Sequence, residues 1–149
     1  MRIVIQKVNR ASVTVEGELV SEIDAGLLVL VGAQEGDTDE DVKFIAQKIV
    51  GMRIFEDADD KLNLSVKDTG GAVLLVSQFT LLGDARKGRR PSFSHAAAPE
   101  IAEPMVEQIR DLLIADGIPT KTGRFRTHMK VLLENDGPVT ILLDSKKTF

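Results

Sequence analysis

Two uninterrupted aliphatic runs, Gly26-Leu27-Leu28-Val29-Leu30-Val31 and Val73-Leu74-Leu75-Val76, constrain this chain more than any other feature. Both are rich in β-branched and aliphatic side chains and too short for a substantial helix, so both predict strands buried inside a core. Ile3-Val4-Ile5 and Ser12-Val13-Thr14-Val15 are also strand-like, with turn signals at Glu16-Gly17 and Ala25-Gly26. The first third therefore predicts an antiparallel meander leading into the first run. The period changes at Thr38: Val42, Ile45, Ala46, Ile49 and Val50 fall on one helical face, with Thr38 or Asp37 as N-cap. A second helix is predicted by Ile101, Met105, Ile109, Leu112 and Leu113, ending near Gly117 with Pro119 beyond. Pro104 falls at its start and predicts an irregular first turn. Two final strands, Met129 to Leu133 and Val139 to Leu143, flank Asn135-Asp136-Gly137-Pro138, whose turn chemistry predicts a hairpin.

Repeats, low-complexity tracts and linkers are absent, so residues 1–149 read as one domain. With 43% hydrophobic and 28% charged residues the balance is that of an ordinary globular chain. The absence of cysteine removes disulfides, thiolate metal sites and cysteine nucleophiles together and suits an intracellular protein. Neither a secretory leader nor a stretch long enough to span a membrane is apparent, and a cytoplasmic location is expected. A net charge of −4 argues against general polyanion or DNA binding, so any nucleic-acid contact must be local.

Several chemistries lack their residues. The only histidines are His95 and His128, which read as ordinary surface residues, and no serine sits in a G-x-S-x-G turn. Phosphate-cradling glycine loops and H-E-x-x-H pairs are missing, so neither cofactor nor metal is expected.

Three segments carry the remaining signal. The second aliphatic run continues as Ser77-Gln78-Phe79-Thr80-Leu81-Leu82, which breaks a core strand with polar groups. Strand alternation would send Gln78 and Thr80 to one face, with Ser77 and Phe79 on the other. Burying such groups unpaired costs about 1–3 kcal/mol each, so they are either satisfied locally or line a pocket. Next comes Gly83-Asp84-Ala85-Arg86-Lys87-Gly88-Arg89-Arg90-Pro91-Ser92-Phe93, in which Arg86, Lys87, Arg89 and Arg90 concentrate positive charge on an acidic chain. Such a loop is either simply solvated or built for phosphate oxygens. The third is Asn135-Asp136-Gly137-Pro138-Val139-Thr140, where an isolated X-Pro bond would by default be trans.

Together and in this order, the three segments resemble the signatures of D-aminoacyl-tRNA deacylases. The likeness extends through Ile5-Gln6-Lys7-Val8, Gly26-Leu27-Leu28-Val29 and Arg53-Ile54-Phe55 to about residue 144. It implies an α/β fold with a mixed, mostly antiparallel, curved and barrel-like sheet and two main helices, assembled as a homodimer with a site at each end of the interface. It also implies hydrolysis of the ester joining a D-amino acid, or glycine, to the acceptor end of tRNA.

By the same resemblance Ser77, Gln78, Phe79 and Thr80 form the catalytic pocket for the terminal adenosine and its amino acid, with Phe125 and Met129 as further lining. Gly137-Pro138 is then cis and enters the partner subunit's pocket, where its two carbonyl oxygens hold the amino group and leave no room for an L side chain. Arg86, Lys87, Arg89 and Arg90 become tRNA contacts. Backbone N–H groups near Phe79 would serve as oxyanion donors, and the 2′-hydroxyl of the substrate would orient the water, so no protein base is needed. Thr80, lacking an adjacent base, has a pocket role and is not a nucleophile.

The chain departs from the family pattern at Lys7, where an arginine usually braces the Gly-Pro segment, at Arg126 and Thr127, where small residues are usual, and at Pro104, where the helix is usually uninterrupted. Two rival functions remain: a non-catalytic module binding the tRNA acceptor end, and a general esterase of small D-amino acid esters.

Overall fold

The computed structural model describes residues 1–149 as one α/β domain. The strands are β1 (Arg2–Val15), β2 (Glu18–Ile23), β3 (Gly26–Gly32), β4 (Phe55–Glu56), β5 (Leu62–Leu64), β6 (Ala72–Ser77), β7 (Thr120–Thr122) and β8 (Lys130–Asp144). The helices are α1 (Asp39–Gly51), the single turn α2 (Val66–Thr69) and α3 (Pro99–Ala115). Six strands form one mixed sheet, and β4 and β5 form a separate hairpin.

The two predicted strand segments at the start are halves of β1. Its first half pairs antiparallel with β3 and its second half with β2, while β8 runs antiparallel along its whole opposite edge. The two aliphatic runs pair with each other in parallel as β3 and β6, and β7 extends the sheet. At the far side Ser21 Oγ donates to the Thr122 carbonyl at 2.7 Å and Lys121 Nζ to the Glu22 carbonyl at 2.8 Å. The sheet therefore curls until β2 meets β7.

This curl explains why β3, and β6 as far as Val76, are apolar at every position. Leu27, Val29, Val31, Val73 and Leu75 face a core shared with Ile45 and Ile49 of α1 and with Ile109 and Leu113 of α3. Leu28, Leu74 and Val76 face a second core inside the curve, with Val8, Val13 and Val15. Truncating a fully buried member such as Ile109 or Leu113 to alanine would cost roughly 2–5 kcal/mol.

The first helix follows its predicted face, with Val42, Ile45, Ala46 and Ile49 buried. Asp41 at its third position accepts the Thr38 N–H at 2.8 Å, closing a box around the N-cap. The second major helix corrects the sequence expectation twice. It begins at Pro99, so Pro104 lies in its second turn, and the helix runs through it. Pro104 and Glu100 are both exposed, so the carbonyl that the ring leaves without an intrahelical donor belongs to the solvent side of the helix. The buried stripe is Ala102, Val106, Ile109 and Leu113, leaving Ile101 and Leu112 on the exposed side.

The predicted terminal hairpin is also overturned. Both of its supposed strands belong to β8 and run in one direction against β1. Val8 pairs with Asn135 and Gln6 with Thr140, so residues 136–139 bulge out of a continuous strand. A long partner edge on β1 kept the two halves collinear, which local turn chemistry could not anticipate.

Candidate active site

The polar segment after the second aliphatic run is not a continued strand. β6 stops at Ser77, and Phe79–Leu82 form a turn of 3₁₀ helix entered through Gln78. Gln78 N–H donates to the Val31 carbonyl at 2.7 Å, which folds the turn against the end of β3. A side chain at Gly32 would forbid this packing, because its Cβ would lie 2.6 Å from Leu82 Cδ2 and 2.8 Å from the Gln78 carbonyl oxygen. Gln78 and Thr80 do come together, through the turn and not through strand alternation: Gln78 Nε2 donates to Thr80 Oγ1. The Thr80 hydroxyl has no imidazole or carboxylate bonded to it that could act as base.

Ser77, Gln78 and Phe79 open onto a cavity of about 720 Å³ that Phe125 and Met129 also line. Phe79 packs edge to face on Phe93, with ring centroids 5.3 Å apart, at the same cavity. Thr80 is exposed and does not line the cavity, which it meets only through its bond from Gln78. Sequence reasoning did not place Phe93, Arg126, Thr127 and His128 at the cavity, nor Ala96, Ala97 and Ala98, yet all seven line it. The alanine run was a usable signal, since three consecutive small side chains leave space beside them. A smaller cavity of about 100 Å³ shares Ser77, Phe125 and Met129 and extends toward Glu103 and Arg110 of α3. No three His, Cys, Asp or Glu side chains converge as a metal site.

The basic loop is closed at its neck by Asp84 and Ser92, which exchange backbone hydrogen bonds at 2.8 and 2.9 Å. Its four cations are not equivalent. Arg86 forks onto Asp84, with Nε to Oδ1 at 2.9 Å and Nη2 to Oδ2 at 2.7 Å. Those side-chain hydrogen bonds, with a further one from the Arg86 N–H, hold the Asp84 carboxyl well below the usual carboxylate range. Lys87, Arg89 and Arg90 are exposed and form no ion pair. Phe93, just beyond the loop, ties its neck to the cavity.

Gly137 and Pro138 sit exposed on the bulge of β8 and are joined by a cis peptide. Gly137 has φ +117°, a conformation that L side chains rarely adopt. Neither residue lines the cavity of its own chain. The base of the bulge is pinned by Asn135 Nδ2, which donates to the carbonyls of Lys7 at 2.9 Å and Val139 at 3.1 Å. Lys7 Nζ bridges Asp136 at 3.2 Å and Glu56 at 3.1 Å, over the ring of Phe55. Burial acts to lower the Lys7 pKa, and the bonds to Glu56 and Asp136 outweigh it and leave it raised. Lysine thus supports this bulge through a neighbouring carboxylate.

The D-Tyr-tRNA(Tyr) deacylase family model matches residues 4–144. A D-aminoacyl-tRNA deacylase of Koribacter versatilis is 56% identical over 149 residues, covering 100% of each chain. One of Symbiobacterium thermophilum is 53% identical over 149 residues, covering 100% of this chain and 99% of its own. A solved structure named c-Myc DNA Unwinding Element Binding Protein superposes with a TM-score of 0.91 at 41% identity, covering 97% of this chain and 98% of that one. That of a probable eukaryotic D-amino acid tRNA deacylase superposes at 0.79 with 17% identity, over 95% and 97% of the two chains, and shares the fold.

Proposed function

The chain belongs to the D-Tyr-tRNA(Tyr) deacylase family, and from that premise we propose that it hydrolyses the ester of D-aminoacyl-tRNA, releasing the D-amino acid and free tRNA. One observation supports this best: the polar segment Ser77–Phe79 opens onto a largely apolar cavity, and no general base is bonded to the adjoining Thr80 hydroxyl. Such a site suits a reaction in which the protein positions and the substrate's own 2′-hydroxyl orients the attacking water. The terminal adenine fits among Phe79, Phe93, Phe125 and Met129. The N–H groups of Phe79 and Thr80, which open the 3₁₀ turn and have no ladder partner, are suited to the oxyanion.

Chirality is judged by the Gly137 and Pro138 carbonyls of a second copy, because these residues lie away from the cavity of their own chain. Support comes from β8, which pairs on one side only and carries Leu132 and Leu142 exposed on its face. A homodimer covers both. The carbonyls bind the amino group and leave an L side chain no room, while glycine passes, so glycyl-tRNA is a substrate too. Lys87, Arg89 and Arg90 contact tRNA phosphates, and Arg86 shapes their loop from its fork on Asp84. Work on aminoacyl-tRNA sets the protein in the cytoplasm, and no helix is long and apolar enough to cross a membrane. DNA is not a partner, given the net charge of −4.

The test is ester loss from D-tyrosyl-, L-tyrosyl- and glycyl-tRNA, with D-tyrosine methyl ester and a DNA duplex as controls. Rapid loss from the D and glycyl forms alone is expected. Binding without turnover would mean an acceptor-end module, equal cleavage of the methyl ester a general esterase, and competition by the duplex a DNA binder.

A further inference from the structure

Arg126 is the only residue of permanent charge among those lining the 720 Å³ cavity. The other walls are aromatic, aliphatic or neutral polar, and His128 is the only other titratable neighbour on them. One fixed cation on an otherwise uncharged wall suits a ligand with a flat apolar body and one anionic group attached.

The conformation of Arg126 is a separate observation. Its φ is +59°, in the left-handed region where a side chain costs on the order of 1 kcal/mol and glycine costs nothing. Thr127 Oγ1 donates to the Arg124 carbonyl at 2.7 Å and closes this turn. A non-glycine residue held there invites the question of what its side chain does in return. Little inside the chain answers it. Its sole ion-pair partner, Glu100, lies 4.0 Å away and both side chains are largely exposed. A pair of that kind contributes almost nothing and leaves the guanidinium free. Arg86, by contrast, already holds two short bonds to Asp84.

We propose that Arg126 binds the phosphodiester that links the terminal nucleoside in the cavity to the rest of the tRNA, making it a substrate-binding residue outside the basic loop to which the sequence reading confined the tRNA contacts. This rests on the deacylase function proposed above. A guanidinium suits the task because its planar donors match two phosphate oxygens at once. The basic loop holds the body of the acceptor strand, while Arg126 fixes the last phosphate and so the register of the ester over the Ser77–Thr80 turn.

The experiment compares two small substrates, 3′-O-D-tyrosyl-adenosine and the same ester carrying a 5′-phosphate. With the native protein the phosphate should raise kcat/KM about tenfold, mainly through KM, as one charge-assisted contact would. In Arg126→Gly, which relieves the left-handed residue and so endangers no fold, the two substrates should become equal, through loss on the phosphorylated ester alone. Arg126→Lys should restore part of the preference. An undiminished phosphate preference in Arg126→Gly, or an equal loss on both substrates, overturns the proposal. If the native protein cleaves neither ester nor D-tyrosyl-tRNA, deacylase function fails by itself. Binding of 5′-AMP against adenosine to the native and Arg126→Gly proteins then decides the phosphate contact, and equal ratios overturn it.

Discussion

Charged residues gather in two regions of this molecule and end in opposite states. Where α1 meets the chain ends, Asp37, Asp41 and Asp144 are buried and fully engaged. Asp37 accepts from the α-amino group of Met1 at 2.9 Å and from Gln34 N–H at 2.6 Å. Asp41 accepts from Ser145 Oγ at 2.7 Å and Lys146 Nζ at 3.0 Å, besides the N-cap of α1. Asp144 accepts from Lys146 N–H at 2.9 Å and from Thr148 Oγ1. Around the cavity the reverse holds, with Lys87, Arg89, Arg90 and Arg126 in solvent and weakly paired or unpaired. Buried charge must be paired where it stands and so serves stability, whereas exposed charge keeps its donors for a partner.

Asp41→Ala should break this contrast most sharply. It removes the helix box and the bonds from Ser145 and Lys146, so urea unfolding should show a loss of roughly 2–4 kcal/mol. The kcat of the folded enzyme should not change; a parallel fall in kcat would mean that the network supports catalysis as well.

Removing Lys87, Arg89 and Arg90 together should do the opposite. Stability should shift by less than about 0.5 kcal/mol, while KM for D-aminoacyl-tRNA rises on the order of thirtyfold. The slope of log affinity against log salt should become shallower by about two, at roughly 0.7–0.9 for each phosphate no longer neutralised. An unaltered slope would return the loop to plain solvated charge.

Gly137→Ala sharpens the comparison at a third place, where neither charge nor burial acts but backbone shape does. The added Cβ would meet Val139 Cγ2 at 2.8 Å in a residue whose φ is +117°. The carbonyl at 137 must shift, and the ratio of D to L cleavage should fall about tenfold, equivalent to ~1.4 kcal/mol. An unchanged ratio removes the bulge from chiral selection.

The smallest effect concerns acid. Burial pushes the Asp41 pKa up, but the bonds from Ser145, Thr38 and Lys146 outweigh it and hold the carboxyl well below its ordinary value. At Asp144 burial is likewise outweighed, by Thr148, the Lys146 N–H and nearby positive charge. The unfolded chain therefore takes up these protons first as pH falls. Their stabilisation is complete above about pH 4 and drains away below it. Asp41→Asn should flatten the acid limb of a stability profile, and a limb of native steepness would assign it to other carboxyls.

Much of the fold was legible because it is locally encoded. The aliphatic runs are β3 and β6, the Val42-to-Ile49 stripe is buried in α1, and Glu16-Gly17 turns β1 into β2. Of the residues that the sequence reading grouped as a pocket, Ser77, Gln78, Phe79, Phe125 and Met129 line one cavity, whereas Thr80, Gly137 and Pro138 do not. Three features were not legible. The supposed hairpin at Asn135–Pro138 is a bulge because β1 offers one edge to both halves of β8. Gln78–Leu82 leaves the strand because Gly32 lets a turn close upon it. Arg86 is held by Asp84 while Arg126 has only a loose pair with Glu100 at 4.0 Å, a difference that the bare charge pattern does not show. What the sequence by itself determined is the periodicity of apolar groups, and with it which segments are strand or helix. Which edges pair was decided only in the tertiary structure, because β1 and β8 lie far apart in the chain; which cations remain free was decided by the folded shape of the loop, which lays Arg86 on Asp84 two residues away and leaves its neighbours in solvent.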